Sequence, residues 1–332
     1  MTIAARTGTA PPDTGCGPAP RSGRVAEGGD PTSASGTGAA FGTFGELLQG
    51  VLPDGSAFLV TLPVDVWARA RFRLGGPGPQ VRVRPPGKHK ARQVARLVLD
   101  AVGHGGGGLL ELSGELPEGK GLASSSADLV ATVRAVGAAV GVRFTPAETE
   151  AFLRGIEPSD GVMYDEIVAF HHRAVRLRRR LGRLRPLVVV AHDEGGQVDT
   201  VRHNRGPLPF GAQERSEYAR LLAELDEAVA GGDLAAVGRV STRSAELNAL
   251  VRPRAGLAPL RDACREADGI GLVLAHSGTM LGVAFAADDP ELADKSDYVR
   301  RACAAWPGTV SVFRTLGEGS TWSAPADAGG ET

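Results

Sequence analysis

Residues 116–128 read Leu-Pro-Glu-Gly-Lys-Gly-Leu-Ala-Ser-Ser-Ser-Ala-Asp, and no other stretch constrains the chain as much. A short apolar run at 109–112 precedes it and predicts a strand. Beyond it, Leu129, Val133 and Val136 recur on one side of a helix expected over 122–140. The segment is therefore a strand, a glycine-containing turn and the first turn of a helix. A helix start leaves its first backbone N–H groups without intrahelical partners and carries partial positive charge. Gly119 and Gly121 let backbone approach a ligand, and the hydroxyls of Ser124, Ser125 and Ser126 sit at the helix mouth. Such an arrangement predicts a phosphate cradle. It is not a Walker loop, because Lys120 precedes Gly121 and no Lys precedes the serines. The plainer alternative is a serine N-cap on a buried helix.

The 332 residues are 42% hydrophobic and 23% charged, with a net charge of −1. That is ample for a core and predicts one large or two medium domains. Near-neutrality gives no global reason to expect nucleic acid or an anionic membrane as partner. The longest apolar runs, such as 187–191, have strand length rather than membrane-spanning length. No uninterrupted apolar segment near the N-terminus suggests a secretory signal. Cys16, Cys264 and Cys303 are too few and too scattered for a disulfide framework or metal cluster, so a reducing cytoplasm is the expected setting.

The longer pattern Pro-x-x-x-Gly-Leu-x-Ser-Ser-x-Ala at 117–127 resembles the signature of the GHMP kinases. The family's usual glycine before the serine pair is Ala123 here. The resemblance implies ATP as phosphoryl donor, with its phosphates held by residues Pro117, Gly119, Lys120, Gly121, Leu122, Ala123, Ser124, Ser125 and Ser126. It also implies that the Ser125 hydroxyl helps coordinate Mg2+. The family's Gly-Glu-His motif appears as Gly45-Glu46-Leu47, which loses the polar third residue and leaves Glu46 and Gln49 as candidates for the acceptor pocket. A solvated turn carboxylate is the plainer reading of Glu46. The turn Glu157-Pro158-Ser159-Asp160 stands where the family places a catalytic Asp, so the resemblance assigns Asp160 as base; the alternative is a cap on a following helix. Many members hold magnesium with a glutamate about three helical turns earlier. Glu148 and Glu150 are near that spacing and Glu157 is not, which makes Glu150 the candidate while the choice stays open. The turn Ala275-His276-Ser277-Gly278-Thr279 matches the third, glycine-rich motif, expected to fold against the phosphate loop and to bring Ser277 and Gly278 to the substrate.

These motifs, together with Glu194-Gly195-Gly196-Gln197-Val198-Asp199-Thr200, resemble the L-threonine kinase branch, linked in bacteria to the aminopropanol arm of cobalamin. The implied acceptor is a free hydroxy amino acid, L-threonine first, with Asp199 and Thr200 as further substrate contacts. Another hydroxylated metabolite, or a non-catalytic binding protein on the same fold, are the alternatives. No nucleic-acid or membrane partner is expected, and no oligomeric state follows.

The resemblance implies a two-lobed α+β fold, with an N-terminal lobe like a ribosomal-protein fold and a ferredoxin-like C-terminal lobe. Residues 1–38, rich in Gly, Pro, Ser and Thr, are expected to be a disordered tail. An ATP-binding domain over 39–185, a second domain over 186–316 and a flexible tail over 317–332 follow. Alternation predicts strands at 56–64, 66–74, 80–84, 187–191, 270–275, 280–285 and 309–314. Helices are expected at 88–102, 146–153 with Thr145 as cap, 162–171, 213–230, 234–251, 258–267 and 290–304. Seven arginines crowd residues 173–185 without interleaved aromatics, which predicts a solvated helix end rather than a nucleic-acid surface. His171 and His172 lack a third ligand at metal spacing.

Overall fold

The computed structural model describes residues 34–76, 78–196, 209–275 and 277–317. Within them the chain runs β1 (Ser35–Val51), β2 (Ala57–Leu74), β3 (Val81–Arg84), α1 (His89–Ala101), β4 (Gly108–Gly114), α2 (Ser124–Ala139) and α3 (Pro146–Leu153). It continues through β5 (Ile167–His171), β6 (Arg176–Gly182), β7 (Leu187–Asp193), α4 (Ala212–Gly231), α5 (Leu234–Val251) and α6 (Leu257–Glu266). β8 (Gly271–Leu274), β9 (Met280–Ala286), α7 (Leu292–Ala304) and β10 (Thr309–Arg314) complete it. No helix among the described residues is long and apolar enough to cross a membrane.

The strands form one mixed sheet in the order β10-β7-β9-β8-β1-β2-β4-β3, with β5 branching from β2 and β6 from β5. Its spine is the antiparallel pair β1–β2, from Ser35 opposite Arg73 to Val51 opposite Ala57. β1 is bulged between Thr43 and Leu48, and there it meets β8 through the pair Glu46 and Leu274. Bulges re-aim side chains and break pairing, and they gather beside functional sites. The expected division between residues 185 and 186 falls just before β7, while the sheet continues through the β1–β8 contact. One core cluster likewise joins both halves: Phe44, Leu47, Phe58 and Leu62 pack with Val189, Val273 and the α4 residues Leu221 and Leu225. A second core lies under α1 and α2, and a third under α6 and α7. Together they make the two-lobed mixed α/β fold that the motifs imply.

Three expectations need correction. The tail expected to reach residue 38 gives way to β1 at Ser35. Composition hid this because Gly36 and Gly38 serve close packing: a Cβ on Gly38 would lie 2.4 Å from the Ala131 carbonyl oxygen of α2. The helix expected at 162–171 is absent. Residues Ile167–His171 are buried throughout and pair with β2 on one side and β6 on the other. A strand covered on both faces reads as a continuous apolar run, which periodicity cannot separate from a buried helix. The arginine run is accordingly not a helix end but the exposed edge strand β6. Arg179 and Arg180 there pair with Asp226 and Glu166 at 2.9 and 2.8 Å. Charged side chains on such an edge discourage pairing with other chains.

Candidate active site

The 116–123 turn delivers the chain to α2 through three residues of left-handed backbone, Gly119 at φ 73°, Gly121 at φ 85° and Ala123 at φ 57°. Ala123 is the N-terminal flanking residue of α2 and has no side chain able to cap it. The helix therefore starts at Ser124, two residues later than expected. Its first N–H groups face a cavity of about 650 Å³ and stand as donors for an anion. The turn is held from two sides. β1 donates Thr43 N–H to Leu122 O and Gly45 N–H to Gly121 O, each at 3.2 Å. The 275–279 turn donates Thr279 N–H to Lys120 O at 3.2 Å. Gly121 and Gly278 meet back to back: a Cβ on Gly121 would come 3.0 Å from the Gly278 Cα, and one on Gly278 only 2.0 Å from Lys120 O. The third motif thus folds against the phosphate loop, as its resemblance implies.

Two neighbouring serines each meet a carboxylate from the 157–160 turn. Ser125 Oγ donates to Glu157 Oε1, and Lys90 Nζ donates to Glu157 Oε2. Ser126 Oγ lies 3.3 Å from Asp160 Oδ2 and accepts the Asp160 N–H at 3.1 Å. Asp160 is half-buried and lines the cavity with the buried Glu46. Burial, then the Glu46 charge, push its carboxyl up to about 7; the Ser126 hydrogen bond opposes this and the Glu157 charge adds to it. Asp160 is thus poised to exchange a proton near neutrality, the range suited to general base work.

Lys88 faces the same cavity and is held by Asp128 Oδ2 at 2.6 Å and by Glu118. Burial works against its charge, but the hydrogen bonds to Asp128 and Glu118 outweigh that and raise its pKa. Burial also raises the Asp128 carboxyl, in spite of the Lys88 contact.

Of the expected phosphate-loop residues, Gly119, Gly121, Leu122, Ala123, Ser124, Ser125 and Ser126 line the cavity. Pro117 does not, and the Lys120 side chain turns away from it. Lys120 Nζ pairs with Asp193 Oδ2 at 2.7 Å and donates to Gly196 O at 2.8 Å. Asp193 also accepts from Thr279 Oγ1 at 2.5 Å and from Gly195 N–H, and these bonds with Lys120 keep its carboxyl low in spite of burial. Behind this pair Arg254, whose side chain is 2% exposed, binds Glu194 at 2.6 Å and the Gly278 carbonyl at 3.2 Å. Lys120 is thus a strut between the phosphate loop and β7, with its ammonium engaged by Asp193 and the Gly196 carbonyl.

Glu150, the magnesium candidate by helical spacing, lies outside the cavity lining. Its Oε1 accepts from Tyr164 Oη at 2.8 Å and from Leu177 N–H at 2.7 Å, tying α3 to the β5–β6 hairpin. Glu148 closes the capping box with Thr145. The carboxylate beside Ser125 is Glu157, which follows the helix and so escapes a count of helical turns. Ser277 lines the cavity, while Gly278 packs behind it. Gln49 lies outside the cavity lining, buried, with its N–H donating to Ser244 Oγ at 3.2 Å. Asp199, Thr200 and His276 lie outside the described residues. Lys88, Lys90 and the buried His172 were missed as cavity residues. The run Pro85-Pro86-Gly87-Lys88-His89-Lys90 opening a helix was the available signal for the lysines; His172 had none.

The sequence model described as "GHMP kinases N terminal domain" matches residues 89–167, which hold the phosphate loop and the 157–160 turn. The L-threonine kinase of Citrobacter freundii is 23% identical over 248 residues, covering 72% of this chain and 82% of that one. The L-threonine kinase of Salmonella typhimurium is 25% identical over 240 residues, covering 72% and 79%. Among solved structures, homoserine kinase from Cytophaga hutchinsonii superposes with a TM-score of 0.67 at 16% identity, covering 85% of this chain and 95% of its own. The fold, the loop built on α2 and these matches agree: residues 89–167 are similar to the N-terminal domain of GHMP kinases, and the whole fold is similar to that of solved GHMP kinases.

Proposed function

We propose that the protein transfers the terminal phosphoryl group of ATP to the side-chain hydroxyl of a free hydroxy amino acid, L-threonine first. The observation that carries the reading is the paired arrangement of Ser125 with Glu157 and Ser126 with Asp160 at the mouth of α2. One pair suits a metal–phosphate site and its neighbour an acceptor hydroxyl. The amino acid class rests on the similarity to L-threonine kinases and a homoserine kinase, together with the co-occurring branch motifs.

Phosphoryl transfer depends on positioning and on neutralising charge at the transferring group. The α2 N–H groups and the backbone of Gly119 and Gly121 bind and orient the phosphates. Ser125 and Glu157 fit Mg2+: both are oxygen donors, and Glu157 is a buried carboxylate aimed at the phosphate loop. No group of three His, Cys, Asp or Glu that could hold a metal occurs among the described residues. A magnesium site takes one or two carboxylates and completes its shell with phosphate and water. Bound there, Mg2+ would neutralise phosphate charge. Asp160 accepts the acceptor hydroxyl's hydrogen bond and, when ionised, its proton. An aliphatic alcohol is a poor acid, so the orienting part of this role carries much of the effect.

The test is ADP release by the full chain with L-threonine, L-serine, L-homoserine, galactose and mevalonate, with mass analysis of the product. L-threonine should be the best acceptor, with sugar and mevalonate inert. A better sugar or isoprenoid acceptor would overturn the substrate class. Glu157→Gln should lose Mg2+-dependent nucleotide binding while keeping its fold, whereas Glu150→Gln should retain it.

A further inference from the structure

Five carboxylates and two lysines line the cavity among the described residues, and the lysines are not equivalent. Lys88 is held by two carboxylates, Glu118 and Asp128, and its side chain is 26% exposed. Lys90 has a single partner among the described residues, Glu157, and its side chain is 44% exposed. Glu157 itself is 5% exposed at the side chain, and its second oxygen is taken by Ser125. A carboxylate so buried needs a compensating cation, and Lys90 supplies it. This is the same carboxylate that the proposed function gives to the metal, and the inference rests on that assignment.

We infer that Lys90 changes partners during the reaction cycle: it neutralises Glu157 before nucleotide binds and turns to the transferring phosphoryl group once a divalent cation takes over that carboxylate. The argument is one of charge and reach. A cavity lined by more acids than bases repels a polyanion unless cations are freed toward it. Lys88 cannot be freed without abandoning both Asp128 and Glu118. Lys90 loses its only carboxylate partner at the moment the metal arrives. Its four-carbon stem stands at the start of α1, with its ammonium on the same carboxylate as Ser125 at the α2 mouth and with enough exposure to swing. The metal and the lysine then share the charge of the transferring group, where either alone would leave it undercompensated.

The experiment compares the wild-type full chain with Lys90→Met and Lys90→Arg. The first readout is binding of Mn2+, as a spectroscopic substitute for Mg2+, without nucleotide. Removing the competing ammonium should tighten metal binding by about tenfold, the value of one charge-assisted hydrogen bond. The second is turnover at saturating Mg2+, ATP and acceptor, where Lys90→Met should lose about 10²-fold, as for removal of one transition-state donor. Lys90→Arg should keep a measurable part of that turnover. Tighter metal binding with reduced turnover supports the exchange. Wild-type turnover in a folded Lys90→Met protein at saturating Mg2+ would confine Lys90 to neutralising Glu157 and overturn it. Unchanged or weaker metal binding would overturn it as well. If the wild type phosphorylates no acceptor, the kinase reading fails by itself, and the metal titration still tests whether Lys90 and cation compete. Melting curves on all three proteins separate misfolding from either result.

Discussion

Replacing Asp160 by Asn should make the protein more stable and nearly inactive, with a gain that depends on pH. The Asp160 carboxyl is raised from 3.8 to about 7 in the folded chain. The folded state therefore binds this proton more tightly than the unfolded state does. Between those two values the unfolded chain ionises first, so stability falls as pH rises and the full penalty is present above about 7. At about 1.4 kcal/mol per unit, the shift of roughly three units corresponds to about 4 kcal/mol. Screening at a half-buried site reduces that to about 2–4 kcal/mol. Asparagine cannot ionise, keeps the turn's shape and still offers an oxygen to Ser126. The assay is urea unfolding of both proteins without metal or nucleotide at about pH 5 and about pH 8. The Asn variant should exceed wild type by the larger margin at the higher pH. In the same preparations its turnover should fall by about 10²–10⁴, the loss expected for a positioned base, while ATP binding persists. A pH-independent difference would refute the raised carboxyl, and near-normal turnover in the folded variant would remove Asp160 as base.

Lys120→Met should cost about 3 kcal/mol in urea unfolding, because Asp193 is left in a partly buried site without its cation. Its effect on ATP should be weaker nucleotide binding through a loosened loop, and Lys120→Met with Asp193→Asn together should recover part of the stability. Glu150→Ala should destabilise by about 2–3 kcal/mol through the lost Tyr164 and Leu177 contacts while leaving the metal dependence of turnover unchanged. Deleting residues 1–33 should leave melting and turnover intact. Extending the deletion through residue 38 should cost on the order of 2–4 kcal/mol, since it removes the first four β1 pairs with β2, Ser35–Arg73 to Gly38–Ala70.

What the sequence made legible follows from which interactions are local. The phosphate loop was readable because a turn, its glycines and a helix mouth lie in one short run. Thr145 and Pro146 gave α3 its start, and Thr145 closes the capping box with Glu148 in the fold. Both are decided within a few residues. The β5–β6 hairpin was unreadable because its burial comes from β2, roughly a hundred residues away. Glu157 was passed over since spacing was counted along a helix that had already ended. Lys120 looked like a phosphate ligand until β7 supplied Asp193. At Ala123 the structure demands a left-handed backbone, which the family's usual glycine adopts freely and alanine adopts at some strain.

The contact of Gly121 with Gly278 has a consequence for how the protein acquires its activity. The nucleotide motif is contiguous, but its shape is completed by residues more than a hundred and fifty positions downstream. On the ribosome, the first half will therefore emerge with the whole motif written and the site unfinished. Nucleotide affinity should arise late, after β8 and β9 have closed on β1, since distant contacts form only once the intervening chain is paid out. An N-terminal fragment would carry the family signature and most of the cavity lining, without the 275–279 turn that braces the phosphate loop. Nucleotide affinity compared between the full chain and such a fragment would report how far the 275–279 turn completes the loop.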